Sequence, residues 1–296
     1  MSSETQTYID LIKTTIGSVK LAPNIVPVKL EIYEQSYTAF IGGAADKYPF
    51  VYGDIKPIGV GDALGPTEIV GSYARGFDTG NVKHMKEYYG YEEAYNNRRV
   101  TKWSDPNKKN AFNDIVEVYK KNNATQINII GHSLGGWNAA GLVTELNKEK
   151  IPVNLLITID PVGILLSKAT VPGILTTPIV RAQIYLLEPK PNAKTWVNVF
   201  SNPDSITMKD IKNIVGWEDG KPVWRGYNPS STGYSLDDLI ADAGGRWKGY
   251  PQSTSDTFYE TKFSHAWFTK MMREIINDNK SAEMILKNEL KQVNIK

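Results

Sequence analysis

The chain has 296 residues, 41% of them hydrophobic, enough to bury the core of one large α/β domain, and we expect a single domain over residues 1–296. Formal net charge is only +2, and no basic run interleaved with aromatics occurs, so the electrostatic footprint of a nucleic-acid binder is missing. There is no cysteine, which excludes disulfides, thiolate nucleophiles and zinc–thiolate sites, and three scattered histidines form no ligand cluster, so neither metal nor cofactor is expected.

The amino-terminal stretch "MSSETQTYIDLIKTTIGSVK" lacks a basic start followed by an apolar core, and it does not read as a signal peptide. The expectation is a soluble protein, cytoplasmic as synthesised. In chain order, strands are expected at "VKLEIY" (28–33) and "YTAFIG" (37–42), then a Gly- and Pro-rich irregular segment at 52–66 and a helix around 81–96. A helix follows at about 107–122, opened by Asp105-Pro106, a capping residue followed by proline. After it come a strand at "QINIIG" (126–131), a helix at 134–149, and strands at "VNLLITID" (153–160) and "TWVNVF" (195–200). The aromatic, Gly-rich stretch 216–255 fits no regular pattern and reads as a lid or irregular insertion, and a last helix is expected at 264–275. Even "LLITIDPVGILL" carries Asp160 and Pro161 in its middle, so no apolar run is long enough to span a bilayer. Short β-rich runs alternating with helical patterns favour a mainly parallel sheet with helices on both faces.

"NIIGHSLGGWNAAGL" (128–142) places Ser133 between an apolar β-branched run and a helix of small residues, with Gly131 and Gly135 two positions to either side and Gly136 beyond. A serine held at a strand-to-helix elbow needs neighbours without side chains, and G-x-S-x-G removes them. The helix that follows points its amino-terminal amides at the serine, so the Leu134 N–H can donate to a developing oxyanion. His132 is adjacent, but neighbouring residues on this turn point apart, so it reads as a packed elbow residue and not as the base.

"GHSLGG" followed by an Asp-Pro strand end resembles the α/β-hydrolase superfamily, in particular its lipase-like members, over about residues 28–275. Membership implies an α/β-hydrolase fold, a serine ester hydrolase working through an acyl-enzyme, and a triad in the order serine, acid, histidine. His84 precedes the serine and is disfavoured by that order, which leaves His265 in "ETKFSHAWFTKMM" as the base. Two aspartates compete for the acid. Asp160 ends the apolar strand "NLLITID", where a buried carboxylate needs a partner, and "ITIDPVG" resembles the Asp-Pro segment of pancreatic-type lipases. Asp204, in "WVNVFSNPDS", follows the next strand, where most other α/β hydrolases carry the acid, although beside Pro203 it also suits a turn. Asp160 is favoured on the burial argument.

A second oxyanion donor is expected from the turn after an earlier strand, and "TAFIGGAADK" fits, with Gly43 and Ala44 as donors beside the plain-turn reading. Trp217, Trp224, Trp247 and nearby tyrosines are candidates for an apolar acyl or lid wall, although surface or core packing is the favoured reading for any single one of them. The segment 237–268, with its Gly-Gly-x-Trp loop ahead of the histidine, resembles the ends of bacterial lipase-like hydrolases. Some of these are phospholipase or lipase toxins delivered to competing bacteria. The resemblance therefore implies an ester or lipid substrate, transient membrane-surface contact, and, for a toxin, non-classical secretion and an inhibitory immunity partner. From a different class, a non-catalytic α/β-hydrolase-like binding module would keep the elbow as architecture alone, and a complete Ser, Asp and His set argues against it.

Overall fold

The computed structural model describes residues 33–48, 50–51, 63–95, 110–163, 185, 187–204, 215–218, 221–224, 230–276 and 279–293. In chain order its elements begin with β1 (Gln35–Ile41), the short pair β2 (Phe50–Val51) and β3 (Ala63–Leu64), α1 (Ile69–Gly76) and β4 (His84–Tyr89). They continue with α2 (Ala111–Lys121), β5 (Thr125–His132), α3 (Leu134–Lys148), β6 (Val153–Ile159) and β7 (Ala193–Ser201). The last are β8 (Val215–Glu218), β9 (Lys221–Trp224), α4 (Leu236–Gly244), β10 (Thr257–Thr261), α5 (Phe268–Arg273) and α6 (Ala282–Leu290).

Six of these strands make one sheet in the order β4-β1-β5-β6-β7-β10, with every neighbouring pair parallel. Parallel strands buried on both sides carry near-continuous apolar runs, and β5 and β6 are buried at every residue. Alternate residues divide between two cores. Tyr37, Ala39, Ile41, Ile127 and Ile129 pack under α2 and α3, while Phe40, Ile130, Leu155, Ile157 and Val197 pack under α1, α5 and α6. The α/β class and the mainly parallel sheet with helices on both faces are as expected from the sequence, and they are the architecture that the α/β-hydrolase resemblance implies.

The strand order also locates the crevice. From β1 the chain steps outward to β4, then returns past β1 to β5 and runs away on the other side through β6, β7 and β10. Such a reversal leaves an open crevice at the carboxyl ends of the two strands that flank it. Here those strands are β1, which leads into Gly42-Gly43, and β5, which leads into Ser133.

Several local expectations are corrected. The segment 81–96, expected as a helix, forms strand β4 and a 3-10 turn at Tyr91–Glu93. Residues 84–89 pair in register with β1 from Ser36↔His84 to Ile41↔Tyr89. Tyr88 goes to the α1 face and Met85 and Tyr89 to the other, so the period of two imposed by β1 overrides a helical reading. Strand β10 was missed, because "TFYET" is a half-buried edge with no clear apolar run. The helix expected at 107–122 begins at Ala111 behind the Asn110 cap, whose side chain accepts the Asn113 N–H at 2.9 Å; Asp105-Pro106 lies outside the described residues. The strand expected at 28–33 lies outside them up to residue 32, as does most of 52–66. The stretch 216–255 is more regular than expected, since α4 forms there behind a reciprocal Ser235–Asp238 capping box. The last expected helix starts at Phe268, not 264, which leaves His265 in a loop.

Candidate active site

Ser133 sits between β5 and α3 with φ 56° and ψ −130°, a backbone region that L-residues rarely enter and that costs about 1–3 kcal/mol. Hydrogen bonds hold it there: its N–H donates to Ile159 O at 3.1 Å, and its carbonyl accepts from the Gly136 N–H at 2.9 Å and the Val162 N–H at 3.0 Å. The flanking glycines make this crossing possible. A β-carbon on Gly131 would lie 2.4 Å from Gly135 O, and one on Gly135 would lie 2.3 Å from Gly42 O and 2.5 Å from Ile41 O.

Ser133 also occupies the cap position of α3. Asn110, Ser235 and Ser281 spend their side-chain oxygens on the helices they begin, whereas Ser133 makes no such bond. Its hydroxyl is instead directed at His265, with Oγ 3.0 Å from Nε2. On the far side of the ring, Nδ1 lies 2.6 Å from Asp160 Oδ2. A carboxylate can only accept, so the ring proton is on Nδ1, and in the neutral ring Nε2 is the acceptor for the serine O–H.

Asp160 is fully buried at the end of β6, in the left-handed backbone region with φ 40°. Its N–H donates to Val199 O at 2.7 Å, and its Oδ1 accepts the Ser201 N–H at 3.1 Å, so β7 fixes the carboxylate. The second carboxylate oxygen, besides meeting His265, accepts from Arg246 Nε at 2.9 Å. Arg246 in turn reaches Asp242 Oδ1 at 2.6 Å and forms a close ion pair with Asp238.

Asp238 fastens the loop that carries His265. It accepts the His265 backbone N–H at 2.9 Å and the Ser264 hydroxyl at 2.5 Å. Burial alone would raise its pKa, but the bonds from Ser264, Ser235 and the His265 N–H outweigh it and hold the carboxyl below the ordinary range. The carboxylates of Asp160, Asp242 and Asp238, the first and last of them buried, likewise outweigh the desolvation of Arg246 and raise the guanidinium further above its usual value. Sequence reasoning missed Arg246, Asp238, Ser201 and Ser264. The Ser235-x-x-Asp238 spacing could have suggested the cap, but nothing local announces that the same aspartate reaches the histidine loop.

His132 turns away from the serine. Its Nε2–H donates to the His265 carbonyl at 2.9 Å, and its ring lies 4.8 Å from the His265 ring. Burial first, then the neighbouring His265, pushes its pKa down to about 3, so it stays neutral while pinning the loop. His84 serves the opposite end of the sheet, with Nε2 3.1 Å from Leu290 O at the end of α6.

The structure brings Ser133, His265 and Asp160 together. The Asp204 carboxylate is exposed, and its described bonds are main-chain ones to Thr232 and Tyr234. Gly43 lies directly against the serine, for a β-carbon on it would stand 2.7 Å from Ser133 Cβ and 3.3 Å from Oγ. Ala44 follows in the turn closed by the Asp46 N–H donating to Gly43 O at 3.3 Å. The Leu134 N–H opens α3, where the helix itself supplies no acceptor. Asp46 anchors this turn from below: its buried carboxylate accepts from Val70 N–H at 3.2 Å and Tyr88 O–H at 2.6 Å.

Trp247, a candidate for a lid wall, is buried. Its ring packs 5.1 Å from Trp137 and 5.4 Å from Trp196, and its N–H donates to Glu188 at 3.0 Å, so it is part of the core under the site. The side chains of Trp217 and Trp224 lie outside the described residues.

No family model matches the chain, and no curated protein matches it. Among solved structures it is similar to ClbQ from the colibactin NRPS/PKS pathway, with 13% identity over 60% of this chain and 80% of that one and a TM-score of 0.31. It is also similar to the metagenomic carboxyl esterase MGS0156, with 11% identity over 63% of this chain and a TM-score of 0.27. The match spans 56% of that esterase.

Proposed function

We propose that the protein is a serine ester hydrolase, lipase- or phospholipase-like, that works through an acyl-enzyme. The observation that carries this reading is the unbroken line of hydrogen bonds from Ser133 Oγ through His265 to Asp160, 3.0 Å and 2.6 Å long, ending on a serine freed from its capping duty. In this reading His265 Nε2 takes the hydroxyl proton as Ser133 Oγ attacks the ester carbonyl carbon. The N–H of Leu134 and a donor at Gly43 or Ala44 hold the oxyanion that forms. The intermediate then collapses, the alcohol leaves with the proton from His265, and a water deprotonated by the same nitrogen releases the acid. Asp160 keeps the ring proton on Nδ1 and stabilises the imidazolium.

A lipid ester suits one further feature. Trp267, two residues past His265, is 37% exposed, and Lys270 Nζ lies 4.4 Å from its ring centroid. An exposed aromatic ring joined to a cation fits an anionic lipid–water interface.

The test is turnover of p-nitrophenyl esters of graded chain length and of phospholipid vesicles, with product identification, for the protein and its Ser133→Ala variant. The expected result is a loss of at least about 10³-fold in the variant with unchanged melting. Full turnover in Ser133→Ala would overturn the nucleophile, and cleavage of short esters without lipid cleavage would overturn the lipid assignment alone.

A further inference from the structure

We infer that Arg246 is a positioning residue that sets the proton affinity of the Asp160–His265 pair by sharing a carboxylate oxygen with the imidazole. The inference rests on the Ser133–His265–Asp160 reading above. The shared atom is Asp160 Oδ2, which accepts from His265 Nδ1 at 2.6 Å and from Arg246 Nε at 2.9 Å. The guanidinium side chain is 7% exposed and uses its planar fork on three carboxylates: Asp160, Asp238 and, at 2.6 Å, Asp242. Asp238 is itself bonded to the His265 backbone N–H, so a single cation touches both the side-chain and the main-chain partner of the base.

The charge balance gives the direction. Asp160 and Asp238 are both fully buried, and a buried carboxylate draws in whatever positive charge is near. Besides these two, the charged or titratable groups among the described residues that face His265 are Arg246, the exposed Asp237 on α4, and His132, which is neutral. Arg246 is faced in addition by Asp242 and by Tyr234, whose O–H donates to Asp242 at 2.6 Å. Arg246 is therefore the one fixed cation at this cluster among the described residues. Without it, the carboxylates would take their compensating charge from the imidazole, and the base would be protonated, and idle, at a pH where it now accepts a proton. A lysine would keep the charge but, as a point donor, could not hold all three acids.

The chain has only three histidines, so each imidazole can be followed by nitrogen-15 NMR as pH is varied. We would compare the protein with Arg246→Lys, Arg246→Gln, Asp238→Asn and the charge-balanced pair Asp238→Asn/Arg246→Gln, which removes one buried carboxylate with the cation and leaves a readout if Arg246→Gln alone does not fold. The expected midpoint for His265 lies about one pH unit or more higher in Arg246→Gln than in the parent, higher likewise in the double variant than in Asp238→Asn alone, and within about half a unit of the parent in Arg246→Lys. A midpoint unchanged or lowered by Arg246→Gln in either folded background would overturn the inference. Fluorophosphonate labelling of the parent tests the underlying reading separately: failure to label Ser133 sinks that reading whatever the titrations give.

Discussion

Gly135→Ala converts the close crossing of α3 over β1 into a measurable defect. The added methyl would stand 2.3 Å from Gly42 O and 2.5 Å from Ile41 O, both main-chain atoms that cannot rotate away. An ordinary contact needs about 3.5 Å, so the start of α3 must lift from β1 by roughly 1 Å. Overpacking of this kind costs about 1–3 kcal/mol, and the better helix propensity of alanine returns up to about 1 kcal/mol. The net loss of about 1–2 kcal/mol should lower Tm by a few degrees in a domain of this size. The functional effect should be larger, because the displaced segment moves the Leu134 N–H away from Gly43, its partner in the proposed oxyanion site across the crossing. A misplacement of about 1 Å in such a site costs on the order of 100-fold in turnover. The assay is thermal melting beside p-nitrophenyl ester turnover, with Gly76→Ala as control, since its β-carbon would meet nothing within 4 Å. A Gly135→Ala protein that melts at or above the parent temperature and turns over normally would refute the close-approach argument.

Two other perturbations separate strain and protonation. Ser133→Gly removes the side chain from a positive-φ position, so it should abolish turnover while offsetting part of the about 1–3 kcal/mol of backbone strain, seen as a higher denaturation midpoint than Ser133→Ala; equal midpoints would place the strain elsewhere. His132 has a folded-state pKa of about 3 against an ordinary 6.5, so below pH 6.5 the unfolded chain binds a proton that the folded one refuses. Stability should therefore fall as pH drops from about 6.5 towards 3, with His132 contributing a slope of up to about 1.4 kcal/mol per pH unit, and urea titrations of His132→Gln should show a correspondingly flatter dependence. An identical slope in the variant would mean that His132 takes up a proton in the fold.

What was legible in the sequence was whatever depends on neighbours along the chain. The apolar runs of β5 and β6, the glycine spacing around Ser133 and the small-residue helix α3 are local patterns with local causes. Asp160 was singled out because a carboxylate ending an apolar strand needs a partner, and His265 because it is the one histidine downstream of the serine. What was not legible depends on partners distant in sequence. Strand β4 reads as a helix until β1 supplies the ladder beside it. Arg246 carries no local mark of its role in its Gly-rich loop, and only folding sets it between Asp160, 86 positions away, and Asp238. Trp247 left a ligand wall open beside surface or core packing because indoles suit all three; Trp137 and Trp196 decide for the core by enclosing it.

That enclosure has an optical consequence. Trp137 rides on the helix that begins at Ser133, Trp196 lies on the strand that fixes Asp160, and Trp247 follows Arg246, so the three indoles, packed edge-on and tilted, report on the three segments that hold the site together. At centroid separations of 5.1 Å and 5.4 Å their electronic transitions couple, which gives the near-ultraviolet circular dichroism a band that exists only while the rings keep their mutual angles. The protein thus carries a label-free gauge of the scaffold around Ser133, one that would fade when these segments part even while the helices and the sheet survive.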